Sequence, residues 1–228
     1  MFFTLNGNES TIDYSPWSDD NQSRASLNFI TGGTINGESD QVKKRWQNGY
    51  KAIARANILL EKLEDANSVG ISEEKKQLYR AQTLFVRATQ YAILTSLFGD
   101  VVYIDKEISI DEAFEMGRTD REEVMENVYK DLDEAIALYN QSGMDRDAAQ
   151  VWMPNVNVAH AVYARAAITK QDYTKALSEA KLARQNYPLM SNAEYQSGFC
   201  NPTSEWIFGC FGGSQELSLI HISEPTRH

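Results

Sequence analysis

The chain has 228 residues, of which 42% are hydrophobic and 24% are charged. This length and composition suit one globular domain, or one and a half, with a substantial core. The 22 basic and 32 acidic residues give a net charge of −10, so the chain lacks the cation excess with which proteins bind nucleic acid or anionic membranes. It contains no run of about 18 apolar residues, which excludes a predicted membrane-spanning helix.

The two ends of the chain show no regular pattern. Residues 1–38 are rich in Asn, Ser, Asp, Gly and Thr, which predicts irregular loops with at most a short strand. They lack the basic segment and the long apolar stretch of a signal peptide, so we expect either a cytoplasmic chain or one whose start is missing. Residues 218–228 resemble translated sequencing-adapter DNA. We treat this segment as a non-native tail and expect the gene to continue beyond it.

Residues 39–67 predict a long amphipathic helix with Ser39 as its N-cap. An apolar stripe with helical spacing is formed by Val42, Trp46, Tyr50, Ile53, Leu60 and Leu63. Asn57 interrupts the stripe, and a buried amide without a hydrogen-bond partner costs about 1–3 kcal/mol. We therefore expect Asn57 to be hydrogen-bonded, and Trp46 and Tyr50 to belong to the core.

Residues 72–98 predict a second helix, which Gly99 ends in the C′ position. It is apolar on two faces, as is typical of a helix packed between neighbours. Arg87 lies within this apolar helix, so we predict a buried pair with Asp131 or with a carbonyl group at a helix C-terminus. Residues 101–104 follow as a short extended run.

Three further helices are predicted. The first covers residues 119–139 and begins with a capping box formed by Thr119 and Glu122. Two shorter helices, at residues 157–170 and 172–186, together match a helical hairpin of the TPR kind, about 34 residues long. One such hairpin cannot bury its own apolar face, so we expect it to stack on the earlier helices. Residues 205–211 then predict a short buried strand.

The sequence does not favour catalysis. His160 has no carboxylate or cysteine at ligand spacing, and Cys200 and Cys210 fit neither a metal site nor a redox motif. Asp131, with Asp133 and Glu134, is interpreted as part of an exposed helix face. We find no phosphate-binding loop, nucleophile motif or zinc motif. We therefore predict neither an enzyme nor a cofactor or metal site.

The predicted binding residues lie in the N-terminal loops. Residues 13–22 combine aromatic side chains with short polar ones, and Pro16 stiffens the segment. Aromatic rings stack on the CH faces of sugars, while polar side chains bind the hydroxyl groups. Tyr14, Trp17, Asp19 and Asn21 are therefore candidate ligand-binding residues. In the alternative interpretation, Tyr14 and Trp17 only anchor the loop to the helices.

Ordered motifs along the helices resemble one known family. The motif residues are Trp46, Tyr50, Ile53 and Asn57, then 80–88 with Tyr91, 97–101, Arg118-Thr119, 128–135, Ala159 with 163–165, and Asp172-Tyr173 with Ala176. In this order they resemble the SusD/RagB family of nutrient-binding outer-membrane lipoproteins of Bacteroidetes. The resemblance covers roughly residues 40–212.

This resemblance implies a fold, a function and a partner. The implied fold is mainly α, with TPR-like helical hairpins stacked in a right-handed superhelical scaffold, irregular N-terminal loops and short strands. We accordingly expect four regions along the chain. These are an N-terminal loop region at 1–38, a helical scaffold at 39–190, the start of a truncated C-terminal region at 191–217, and the non-native tail at 218–228. The implied function is non-catalytic capture of an oligo- or polysaccharide at the cell surface. The ligand would pass to a SusC-like TonB-dependent transporter in the outer membrane.

The chain departs from this family pattern in lacking a lipidated N-terminal cysteine and in being shorter than its members. Both departures are expected of a fragment, whose lipid anchor would lie outside this chain. The alternative hypothesis is a cytoplasmic TPR adaptor that binds peptide partners in a helical groove. In the resembled family the N-terminal loops contribute ligand contacts, which favours Trp17 and Asn21 as binding residues here.

Overall fold

The computed structural model describes residues 40–64, 70–143, 151–196 and 203–209. The predicted N-terminal loop region, both cysteines and the tail lie outside these residues. The described residues form seven α-helices: α1 (Asp40–Glu64), α2 (Glu73–Phe98), α3 (Ile110–Glu115), α4 (Arg121–Ser142), α5 (Val156–Thr169), α6 (Tyr173–Ala183) and α7 (Asn192–Gln196). The predicted mainly α fold is confirmed. Within the same ranges, no helix is both long and apolar enough to cross a membrane.

Long helices that follow one another in the chain pack against each other. Helix α2 is the central element, since it packs against α1 on one side and α4 on the other and also touches α5. Helix α5 in turn packs between α4 and α6. The α5–α6 hairpin thus stacks on the earlier helices, as the apolar faces of its sequence predict.

The core lies along both sides of α2. Its largest fully buried side chains include the tyrosines Tyr91, Tyr139 and Tyr163, together with Ile53, Leu84, Leu94, Met125 and Leu132. Trp46 packs at the edge of this core, with its ring centroid 4.8 Å from that of Tyr50 and 5.0 Å from that of Phe98. Trp46 and Tyr50 are thus partly buried and pack against this core.

Most helix ends follow the sequence signals, with one exception. Ser72, Asn155 and Asp172 accept hydrogen bonds from backbone N–H groups at the starts of α2, α5 and α6. Gly99 ends α2 with φ of 72°, a backbone angle that side-chain-bearing residues rarely adopt. The predicted capping box at Thr119 is wrong: Asp120 is the N-cap of α4.

The predicted short strands are absent from the described residues. The extended run at 101–104 forms only an isolated bridge, in which the Thr119 N–H donates to the Val101 carbonyl over 2.8 Å. The described part of the chain offers no neighbouring strand, and core side chains bind this backbone instead. The prediction also missed α3, which begins with a capping box between Ser109 and Glu112.

Candidate functional site

The structure describes only half of the predicted site residues. Tyr14, Trp17, Asp19 and Asn21 lie outside the described residues, so their role in binding stays a prediction. Trp46 and Tyr50 lie at the edge of the core on α1. Asn57 and Arg87, from α1 and α2, meet in a buried polar network.

Arg87 forms the centre of this network. Its Nε and Nη2 atoms donate to the two carboxylate oxygens of Asp131 on α4, each over 2.7 Å. Both side chains are only 9% exposed, so the predicted buried pair is present. Two parallel hydrogen bonds to one carboxylate fix orientation as well as distance. The pair therefore sets how α2 and α4 lie against each other.

The burial of Asp131 corrects the sequence interpretation. Asp133 and Glu134 are exposed as expected, but Asp131 faces Arg87 and is buried. Burial raises the pKa of the Asp131 carboxyl, and the hydrogen bonds and charge of Arg87 oppose this shift. Burial alone would lower the pKa of Arg87, but the hydrogen bonds and charge of Asp131 outweigh it and raise the pKa. Arg87 therefore stays cationic and continues to donate hydrogen bonds to Asp131.

Asn57 connects the network to the segment that follows α2. Its Oδ1 accepts from Arg87 over 3.0 Å, and its Nδ2 donates to the carbonyl groups of Ile104 and Lys106 over 2.9 and 3.1 Å. Arg87 also donates to the Asp105 carbonyl over 3.0 Å. The polar residue within the apolar stripe thus has the partners that its burial requires.

Two tyrosines hold the same segment further. The Tyr50 hydroxyl donates to the Val102 carbonyl over 2.8 Å. The Tyr91 hydroxyl accepts from the Ile104 N–H over 2.7 Å and donates to the Ile104 carbonyl over 2.9 Å. Burial raises the pKa of Tyr50 to about 12, so its hydroxyl stays protonated as a donor. The segment 101–106 is therefore held in place by side chains from α1 and α2.

A polar cleft of about 470 Å³ opens beside this network. It lies between α1, α2, α4 and the segment 103–107, and Arg87 and Asp131 are part of its lining. Arg80 lines another part, where its Nη1 contacts Glu64 over 2.8 Å and its Nε contacts Glu134 over 2.6 Å. Both arginines of the cleft are thus held by carboxylates of the protein, which gives it a preformed charged lining.

A second buried polar cluster joins the α5–α6 hairpin. The His160 Nδ1 atom lies 2.5 Å from a carboxylate oxygen of Glu179, and the other oxygen lies 3.2 Å from the Lys175 amino group. Lys175 also lies 4.4 Å from the ring centroid of Tyr163, whose hydroxyl donates to Asp133 over 3.2 Å. The sequence interpretation missed the carboxylate beside His160, because Glu179 lies on the following helix.

This cluster is arranged for packing between helices. His160 and Glu179 are both largely buried, and Lys175 shares the carboxylate with the imidazole. Their contacts connect α5 to α6, and Asp133 extends the connection to α4. Within the described ranges, no three histidine, cysteine, aspartate or glutamate residues come together as a possible metal site.

Comparison with known proteins identifies a family and relatives that this chain resembles. Residues 6–168 match the model of a SusD-like family described as starch-binding and associating with the outer membrane. SusD-like protein P2 of Formosa agariphila is 29% identical over 180 residues, which are 77% of this chain and 34% of the relative. The chain therefore spans about a third of the length of this curated relative.

Solved structures share the helical fold. A SusD-like carbohydrate binding protein from Bacteroides vulgatus superposes with a TM-score of 0.70 at 22% identity, over 85% of this chain and 41% of that protein. A laminarin binding SusD-like protein superposes with a TM-score of 0.56 at 24% identity, over 65% of this chain and 31% of that protein. The family match extends over more than half of the chain and agrees with these folds. The chain therefore belongs to the SusD-like family.

Proposed function

We propose that this protein binds a glycan at the cell surface and does not change it chemically. The family match over residues 6–168 carries this proposal, since the family is described as starch-binding and outer-membrane-associated. The laminarin binding relative supports it, because that protein shares the helical fold. These observations favour a glycan binder over a cytoplasmic TPR adaptor that binds peptides.

The proposed mechanism separates a rigid frame from a binding surface. The scaffold at residues 39–190 would hold the N-terminal loop region in one arrangement, so that little ordering is needed when a ligand binds. Tyr14 and Trp17 would stack on sugar CH faces, and Asp19 and Asn21 would hydrogen-bond to the hydroxyl groups. The glycan would then pass to a SusC-like TonB-dependent transporter.

Calorimetry tests the binding step. Starch, laminarin and xyloglucan oligosaccharides are titrated into the purified protein, and we expect heat of binding for at least one of them. Trp17→Ala should weaken that binding at least tenfold, since loss of a stacked aromatic anchor costs about 2 kcal/mol or more. Phe114→Ala is the matched control, because Phe114 is an exposed aromatic residue on α3, outside the predicted loop. Absence of binding across the panel would contradict the proposal.

Co-purification tests the transfer step and the location. The tagged protein, expressed from its own locus, should copurify with a TonB-dependent transporter from detergent-solubilised outer membranes. Surface labelling of intact cells should reach it, and a lipid anchor should be detectable by mass spectrometry of the mature protein. Recovery in the cytoplasmic fraction would instead favour the adaptor. Incubation with the bound oligosaccharide should leave its chain length unchanged.

A further inference from the structure

The polar cleft beside Arg87 has the size of a small-ligand site. Its volume of about 470 Å³ lies within the range of roughly 300–1,000 Å³ that is usual for such sites. Its walls come from three helices and from a segment whose carbonyl groups are bound by Asn57 and Arg87. A ligand would therefore meet a preformed surface and would not have to order a flexible loop.

Several polar groups of the cleft remain available to a ligand. The two arginines are engaged by carboxylates, as described above. In contrast, the Tyr103 hydroxyl and the carboxylates of Glu61 and Glu107 form no hydrogen bond or ion pair within the described part of the chain. Among the residues that the structure describes, the Asn127 side chain forms one hydrogen bond, in which its Oδ1 accepts from Lys130 over 3.2 Å, and its amide N–H groups have no acceptor.

The charges that the described residues bring to the cleft nearly cancel. Five of their carboxylates line it, from Glu61, Glu64, Asp105, Glu107 and Asp131. Four of their cationic side chains line it too, from Arg80, Arg87, Lys106 and Lys130. A cleft of this kind offers both donors and acceptors without a strong field of either sign. It suits an uncharged ligand rich in hydroxyl groups, because each hydroxyl both donates and accepts.

Tyr103 adds an aromatic surface to this polar lining. Its ring packs on Tyr91, with the ring centroids 4.8 Å apart, and this contact fixes its position at the cleft. Burial raises the pKa of Tyr103 to about 12, so its hydroxyl remains a donor over the physiological range. An aromatic ring beside amide and carboxylate groups is the combination with which proteins hold sugar rings.

We propose that this cleft is a second carbohydrate subsite, which binds an uncharged sugar unit through Tyr103, Asn127, Glu61 and Glu107. The inference rests on the proposed glycan-binding function and adds a site on the helical scaffold, separate in sequence from the predicted loop at residues 13–22. A glycan chain would then be held at two places, which increases affinity through effective concentration.

Two conservative variants test this subsite by calorimetry with maltohexaose, laminarihexaose and a xyloglucan heptasaccharide. Tyr103→Phe removes one hydroxyl but keeps the ring on Tyr91, and Asn127→Ala removes one amide at the surface. Each should weaken binding about two- to tenfold, as expected for the loss of one hydrogen bond. Asn140→Ala is the matched control, since Asn140 is an exposed asparagine on the same helix outside the cleft. Melting temperatures verify that all three variants fold.

The possible outcomes separate this inference from the proposed function. Weaker binding in both cleft variants, with Asn140→Ala unchanged, supports the subsite. If Trp17→Ala weakens binding and both cleft variants leave it unchanged, the subsite is overturned, while the glycan-binding function stands. If none of the three oligosaccharides binds to the parent protein, the inference and the proposed function both fail. Chemical-shift changes in the Asn127 side-chain amide on adding the sugar give a local readout, and their absence also contradicts the subsite.

Discussion

Replacement of Arg87 by alanine leaves the Asp131 carboxylate buried without its cation. In the native protein both oxygens of this carboxylate accept from the guanidinium over 2.7 Å. Removal of one partner from such a pair costs about 3–5 kcal/mol, because the remaining charge stays out of water. Arg87→Ala also leaves Asn57 and the Asp105 carbonyl without a donor. We therefore expect a loss of free energy of unfolding in the upper half of that range.

Urea unfolding followed by far-UV circular dichroism measures this loss by linear extrapolation. Arg80→Ala is the matched control on the same helix, because the Arg80 side chain is 29% exposed and its partners Glu64 and Glu134 are 67% and 44% exposed. Solvent screens such pairs, so we expect the control to lose about 1 kcal/mol or less. The double variant Arg87→Met/Asp131→Leu removes both charges and should recover a large part of the loss.

Either of two stability measurements would refute this reasoning. If Arg87→Ala is no less stable than Arg80→Ala, then Arg87 and Asp131 do not form a buried pair in solution. If the double variant is no more stable than Arg87→Ala, then the loss comes from something other than the unpaired carboxylate.

Four further outcomes are expected, three from tyrosines and one from a glycine. Tyr91→Phe should lose about 1–3 kcal/mol in urea unfolding, because the Ile104 N–H loses its acceptor. Tyr139→Phe should leave the free energy of unfolding unchanged or raise it, since the buried Tyr139 hydroxyl has no hydrogen-bond partner within the described residues. Equal losses in Tyr91→Phe and Tyr139→Phe would contradict this difference. Gly99→Ala should lower the free energy of unfolding by about 1 kcal/mol in the same assay, because φ at Gly99 is 72°. A Cβ there would meet no described atom within 4 Å, so the cost comes from the backbone angle, and an unchanged midpoint would argue against that angle. Burial raises the pKa of Tyr50 to about 12, above the value near 10 of the unfolded chain, so the folded state retains protons that the unfolded state releases. Its contribution to stability is complete below pH 10 and is lost as the pH rises through 12, so absorbance at 295 nm should show tyrosine ionisation delayed and coupled to unfolding.

Local patterns in the sequence predict much of the helical scaffold. The three- and four-residue spacing of apolar residues places α1, α2, α5 and α6 within a few residues of their ends. Ser72 and Gly99 mark the ends of α2 because caps act through neighbouring backbone groups. These signals can be recognised in a single sequence, since the residues that make them lie within one or two helical turns of one another.

The polar network shows the limit of such patterns. Asn57 within an apolar stripe predicts that a partner exists, and Arg87 within an apolar helix predicts the same. The sequence named Asp131 as one possible partner of Arg87, but it also assigned Asp131 to an exposed face. Helical spacing alone could not decide whether Asp131 is buried or exposed, because Asp131 lies at the boundary between the buried and exposed faces of α4.

Sequence alone established that the chain is a mainly helical scaffold with a TPR-like hairpin, and its ordered motifs indicated the family. Tertiary structure decided which polar groups meet: Asp131 turned toward Arg87, Glu179 beside His160, and the run at 101–104 bound by side chains instead of by another strand. The physical reason is distance along the chain. Helix formation depends on residues within one or two turns, whereas Arg87 and Asp131 are 44 residues apart and meet only when α2 and α4 have packed.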